Sequence, residues 1–174
     1  RDVTKKYEMQ EKLKTSEKKH RQLFENMTNG LALHEMIYND EKDPVDYRFL
    51  DINHAFEKLT GLSASNLIGN TVKEVLPETE QYWIDKYDKV ASTGESISFE
   101  KYEQEQDRYY MVRAFSPKPG KFATIFADIT ERKKTEKQLQ YKSFHDELTG
   151  LYNRAYFNEE IKGKWERQQK GDVK

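Results

Sequence analysis

Few side chains in this chain can do chemistry, so their spacing is quickly tested. There is no Cys, which excludes disulfides, thiolate metal sites and cysteine nucleophiles. His34-Glu35 lacks the second His of a zinc-binding helix. Gly120-Lys121 and Gly163-Lys164 lack the leading Gly and the following Ser/Thr of a phosphate loop. His145 follows a long charged segment, as a phospho-accepting His would. The Pro of the usual His-Glu-x-x-Thr/Asn-Pro pattern is, however, Gly150 here. No catalytic or metal site is expected. Aromatic residues are the richest resource, at 13% of the chain. Trp83 and Tyr87 lie one helical turn apart, and Phe99, Tyr110 and Phe126 fall on strand-like segments. Together with Phe56 they are candidates for lining a ligand cavity, although the same pattern also suits plain core.

Charge narrows the partners. The 174 residues carry 30 Lys+Arg against 31 Asp+Glu, a net charge of -1. That balance argues against a nucleic-acid arm or a polybasic membrane anchor. The run Glu131-Arg132-Lys133-Lys134 interleaves signs and reads as a solvated helix face. No apolar stretch approaches the roughly 18 residues of a membrane span, and no signal peptide is visible. Asn26-Met27-Thr28 matches a glycosylation sequon but reads as chance in that context. A cytoplasmic segment without membrane contact is expected. Because the chain begins at Arg1 without Met, it is expected to be part of a longer protein that could itself be membrane-anchored.

The elements that must position these residues fall into zones. In 1–27, Met9, Leu13, Ser16, His20, Leu23 and Met27 recur at spacings of 4, 3, 4, 3 and 4. This a/d seam predicts a coiled-coil-like helix and a homodimer; a single amphipathic helix on its own domain is the simpler reading. Zone 28–128 holds all four prolines and five of the eight glycines. Gly30–Tyr38 and Tyr47–Ile52 read as a hairpin around the turn 39–44. Asn53 can cap a helix through Leu59 that Gly61 ends, and Ser63 can cap a turn that Gly69 stops. Thr79 opens a longer helix to Gly94. Strands Ile97–Tyr102, Tyr109–Phe115 and Phe122–Ala127 follow. The order β-β-α-α-α-β-β-β predicts an α+β fold, a five-stranded antiparallel sheet with helices on one face. In 129–145, Asp128 or Thr130 can cap an exit helix to about Phe144. In 146–174, Asn153 caps a helix with the stripe Phe157, Ile161 and Trp165. Asp2-Val3-Thr4 with Leu13 repeats as Asp128-Ile129-Thr130 with Leu139 at an offset of 126. The N-terminus therefore reads as the tail of a preceding copy of the same module.

Phe49-Leu50-Asp51-Ile52-Asn53-His54-Ala55-Phe56-Glu57-Lys58-Leu59-Thr60-Gly61-Leu62, followed by Leu67-Ile68-Gly69-Asn70, resembles the core of a PAS domain. Ala127-Asp128-Ile129-Thr130-Glu131-Arg132-Lys133 resembles the end of one and its exit helix. The resemblance implies a PAS fold flanked by signalling helices. It also implies a sensory role, with an unidentified small molecule as the candidate ligand. Some PAS domains bind haem through a His on the long helix or its neighbouring strand. Thr79–Thr93 has no His, while His34 and His54 read as partly buried or surface residues, so haem is not expected. Cysteine-dependent flavin photochemistry is excluded, and noncovalent flavin has no support.

His145-Asp146-Glu147-Leu148-Thr149-Gly150-Leu151-Tyr152-Asn153-Arg154 resembles the opening of a GGDEF domain, the diguanylate cyclase family. That family's Gly-Gly-Asp/Glu-Glu-Phe turn is absent, since no two glycines here are adjacent. GTP and Mg would therefore belong only to the missing remainder, and the fragment should not catalyse. Under this resemblance Asp128, Thr130, Leu139, Asp146 and Arg154 would relay a signal into the cyclase, with Asp146 and Arg154 pairing across the turn. The alternative is a ligand-free dimerisation spacer between a preceding PAS domain and the GGDEF domain.

Overall fold

The computed structural model describes residues 2–104, 106–146, 148–159 and 161–162. It divides into two compact units, 1–128 and 129–174. In the first unit, helix α1 (Asp2–Glu25) leads into strands β1 (Gly30–Tyr38) and β2 (Pro44–Ile52). Helices α2 (His54–Thr60), α3 (Ala64–Leu67), α4 (Val72–Val75) and α5 (Gln81–Thr93) follow, then β3 (Ile97–Glu103), β4 (Arg108–Lys118) and β5 (Lys121–Asp128). The five strands form one antiparallel sheet in the order β2-β1-β5-β4-β3, as the α+β reading expects.

Alternation of burial along β1 puts Ala32, His34 and Met36 on the inner face. On β2, Phe49 and Ile52 are both buried although three residues apart. The pairing explains this: Leu33 opposes Asp51 while His34 opposes Phe49, which leaves Leu50 as an extra, bulged residue. The bulge resets the alternation. It keeps Phe49 beside His34 and turns Asp51 towards α1, where it meets Arg21 Nη1 at 2.9 Å. The core joins the inner sheet face to Phe56, Leu67, Val72, Ile84, Tyr87 and Val90 from the helices.

Several predicted boundaries shift. Four helices, not three, lie between β2 and β3. The extra one, α4, is held by a capping box of Thr71 and Glu74. Helix α5 starts at Gln81 behind Glu80 rather than at Thr79. Ser63 makes no side-chain cap; the Glu57 carboxylate accepts from the Ala64 amide at 2.7 Å instead. Strand β4 runs on through Pro117.

The second unit holds α6 (Thr130–Phe144) and a turn. Ile129 stands at the N-cap of α6, between Asp128 and Thr130, and makes no side-chain cap bond itself. Asp128 ends β5 and pairs with Arg108 at 3.3 Å. Thr130 is buried and Leu139 is exposed. Asp146 Oδ1 accepts from the Leu148 and Thr149 amides at 3.2 and 3.0 Å and from the Thr149 hydroxyl at 2.9 Å. These bonds hold its carboxyl below the ordinary range, the Thr149 hydroxyl contributing most. No ion pair joins Asp146 to Arg154 among the described residues. The turn occupies Asp146 Oδ1 three times over, and Arg154 begins the following helix. Gly150 takes φ +68°, and Asn153 Oδ1 caps that helix through the Ala155 and Tyr156 amides. The expected stripe reaches Phe157 and Ile161, both exposed; Glu147, Gly163-Lys164 and Trp165 lie outside the described residues.

Candidate functional site

Between the inner sheet face and the helices lies a cavity of about 300 Å³. Phe, Tyr and His rings make a large part of its wall. Behind that wall, Phe122 on β5 stacks between two lining rings, His34 at 4.5 Å and Tyr87 at 4.8 Å. Tyr47 and Phe49 meet His34 edge-on at 5.1 and 4.8 Å. Phe56 and Phe126 form a further edge-to-face pair at 5.4 Å. Strand alternation brings several rings to the inner face, among them His34, Phe49 and Phe126, and edge-to-face contacts between them are favourable.

Four of the six aromatic candidates line this cavity: Phe56, Tyr87, Tyr110 and Phe126. Trp83 and Phe99 do not. They stack on each other at 5.1 Å, and Lys86 Nζ sits over both rings, 4.7 Å from the centre of Phe99 and 5.1 Å from that of Trp83. That contact faces outward. Trp83 borders an open groove with Val75, Leu76 and Pro77, which adjoins the cavity at Tyr47, Tyr87 and Lys101.

Polar lining residues escaped the sequence reading. His34 is fully buried rather than partly buried, and its Nε2 lies 3.0 Å from the Thr124 hydroxyl. Its Nδ1 has no partner among the described residues. Burial in this apolar setting lowers its pKa to about 3, so the ring is neutral. An unpartnered buried polar atom costs about 1–3 kcal/mol, which favours any ligand or water that supplies the bond. A signal existed: His34 interrupts an apolar strand at an inward position. Thr124 falls between Phe122 and Phe126 in the same alternation, but its meeting with His34 depends on β1 pairing with β5, 90 residues apart. Burial raises the Tyr87 pKa to about 12 and carries that of Tyr47 well above its ordinary value. Near the cavity's border the Tyr110 hydroxyl donates to Gln106 Oε1 at 2.8 Å, and Lys101 pairs with Glu103 at 3.1 Å. His54, by contrast, is exposed on α2 and lies 3.4 Å from the Glu57 carboxylate.

One side chain ties the cavity to α1. Asn53 is fully buried and uses all four of its hydrogen-bonding positions. Its Oδ1 accepts from the Leu31 amide at 2.8 Å and the Phe56 amide at 3.0 Å. Its Nδ2 donates to the Phe24 and Asn29 carbonyls, each at 3.0 Å. The cap of α2, the start of β1 and the end of α1 are thus fastened at one point, and Phe56 carries that point to the cavity wall.

Among the described residues, no three or more His, Asp or Glu side chains form a group that could hold a metal, and no helix is long and apolar enough to cross a membrane. No curated protein sequence matches the chain. Solved structures do. The PAS domain of an HTR-like protein from Haloarcula marismortui is 16% identical with a TM-score of 0.50, covering 71% of this chain and 99% of that one. The PAS domain of Bordetella pertussis BvgS is also 16% identical, with a TM-score of 0.49, covering 72% of this chain and 95% of that one. At such identities the likeness speaks for the fold alone. A family profile described as PAS fold matches residues 45–134. That span is more than half of the chain and takes in β2, all the helices over the cavity and the three closing strands, so the chain belongs to the PAS fold family.

Proposed function

We propose that this chain is the sensory module of a multidomain signalling protein of the diguanylate cyclase type. In this reading a change in the cavity passes through the domain to its flanking helices, and the exit helix sets cyclic-di-GMP synthesis by a following GGDEF domain. The observation that carries it is the Asn53 junction, where a wall residue of the cavity and the end of α1 share one saturated side chain. Any shift of Phe56 must be accommodated at Phe24. On the exit side α6 begins at Thr130, two residues after β5 ends, so movement of that strand is felt at the helix start.

The GGDEF assignment rests on 145–154, whose residue types serve a defined turn. Asp146 collects amides, Thr149 donates to it, Gly150 takes the left-handed backbone and Asn153 restarts a helix. The chain lacks the family's catalytic turn, so GTP and Mg would bind beyond it. A homodimer would form through α1 and the outer sheet face. There, Phe24, Leu31, Leu33, Phe115 and Pro117 line a groove between α1 and the sheet. Two cyclase domains must face each other to join two GTP molecules, so a dimer whose exit helices rotate would control output. A cytoplasmic location is part of this reading.

The test is helix phase. One, two or three residues inserted between Thr130 and Phe144 of the full-length parent should change cyclic-di-GMP output periodically. Output indifferent to every insertion length overturns the reading.

A further inference from the structure

Building on that sensory reading, we propose that the cavity takes an uncharged, flat compound of one or two rings, whose polar edge pairs with His34 and Thr124. Four observations converge on this class. The first is size. About 300 Å³ lies at the lower end of ligand sites. That volume suits one or two rings better than the larger frame of a flavin nucleotide or a haem. The second is shape. Tyr47, Phe49, Phe56, Tyr87 and Phe126 offer ring faces and edges on several sides, and a flat aromatic guest gains most from such walls.

The third observation is polarity. Whichever tautomer His34 adopts, its contact with Thr124 uses Nε2 and leaves Nδ1, the one buried side-chain atom without a partner among the described residues. The neutral imidazole therefore has one hydrogen bond left to give or accept. The fourth is charge. His34 is held neutral by burial, and the two ionised side chains that line the cavity, Lys101 and Glu103, cancel each other at 3.1 Å. A carboxylate or ammonium drawn in to His34 would lose its hydration with no counter-charge to replace it.

Benzimidazole is the probe: two fused rings, neutral at neutral pH, with one donor and one acceptor nitrogen. Indene keeps its shape without nitrogen, and benzoate keeps a ring but adds charge. The full 174-residue chain, labelled with ¹⁵N at histidine, is titrated with each. Benzimidazole should bind about tenfold more tightly than indene or benzoate, one good hydrogen bond's worth, and should move the His34 ring-nitrogen resonances. His34→Phe, which keeps a ring in the stack, should erase the preference over indene. Should that variant fail to fold, Thr124→Val leaves the imidazole in place, and benzimidazole affinity should fall about tenfold through loss of the pairing hydroxyl.

Equal binding of indene and benzimidazole overturns the polar-edge assignment. Tighter binding of benzoate overturns the charge assignment while leaving a ligand sensor. Binding by none of the three overturns the ligand class altogether. The helix-phase insertions then decide separately whether the sensory reading falls with it.

Discussion

His34 and Asn53 are both fully buried polar residues, and the contrast between them carries the functional argument. Asn53 satisfies every donor and acceptor it has and so behaves as a fixed joint. His34 satisfies one nitrogen of two. The same burial makes it a source of pH dependence. Its pKa falls from an ordinary 6.5 to about 3 in the folded chain, through loss of hydration. Below pH 6.5 the unfolded chain binds a proton that the folded chain refuses. Stability from this residue is therefore complete above pH 6.5 and declines as pH drops towards 3, by up to ~1.4 kcal/mol per unit. Between pH 7 and pH 5 the loss should be about 2 kcal/mol. Urea unfolding at those two values tests this. In His34→Phe the drop should nearly vanish, because the lowered carboxylate Glu57 titrates further down and is common to both proteins. An equal drop in both proteins would show that His34 carries no such linkage.

Among the elements, the tightest constraint lies where β1 begins. A methyl group on Gly30 would come within 2.9 Å of the Phe56 Cα and 3.2 Å of its amide nitrogen. Those are backbone atoms at the Asn53 junction and cannot yield as a side-chain tip would. In an ordinary strand, replacing Gly by Ala helps by about 0.5–1 kcal/mol. Here Gly30→Ala should instead cost about 1–3 kcal/mol through overpacking, read from the urea midpoint. A variant as stable as the parent would show that α2 and β1 do not approach this closely. What could be read in advance follows the range of the signal. The strands, the Asn53 cap and the stops at Gly61 and Gly94 are local, resting on two-residue alternation or a single left-handed glycine. The capping box of α4 was present in Thr71-x-x-Glu74, but four residues make too short a periodic run to notice. Trp83 and Phe99 read as candidates for the cavity because neither helix nor strand periodicity says which stretch of an inward face borders it. The Leu50 bulge, and with it the neighbours of His34, depends on cross-strand pairing that no alternation reveals.

At the scale of the whole molecule, α1 poses the largest unresolved physical demand. It runs for 24 residues, and side-chain ties to the sheet and α2 lie near its end: Arg21 to Asp51, Glu25 to the His54 amide, and Asn53 to the Phe24 carbonyl. Along the predicted seam, Met9 is 75% exposed, and Leu13 and Leu23 are each 60% exposed. A helix of this length gains most of its stability from packing an apolar face, not from intrinsic propensity. A second copy of the same seam would supply that packing, with a/d residues of one helix set between those of the other. Ser16 and His20 interrupt the seam, which favours a pair that can slide or rotate over a locked one. The wild-type chain should therefore be dimeric by light scattering. Leu13→Glu with Leu23→Glu should make it monomeric and reduce its helical circular dichroism. Because both positions are exposed, the domain's own urea transition, followed by Trp83 fluorescence, should move by no more than about 0.5 kcal/mol. A wild-type monomer would remove α1 as the dimer contact. A double variant that stays dimeric would place the contact on the outer sheet face beside Leu33 and Phe115.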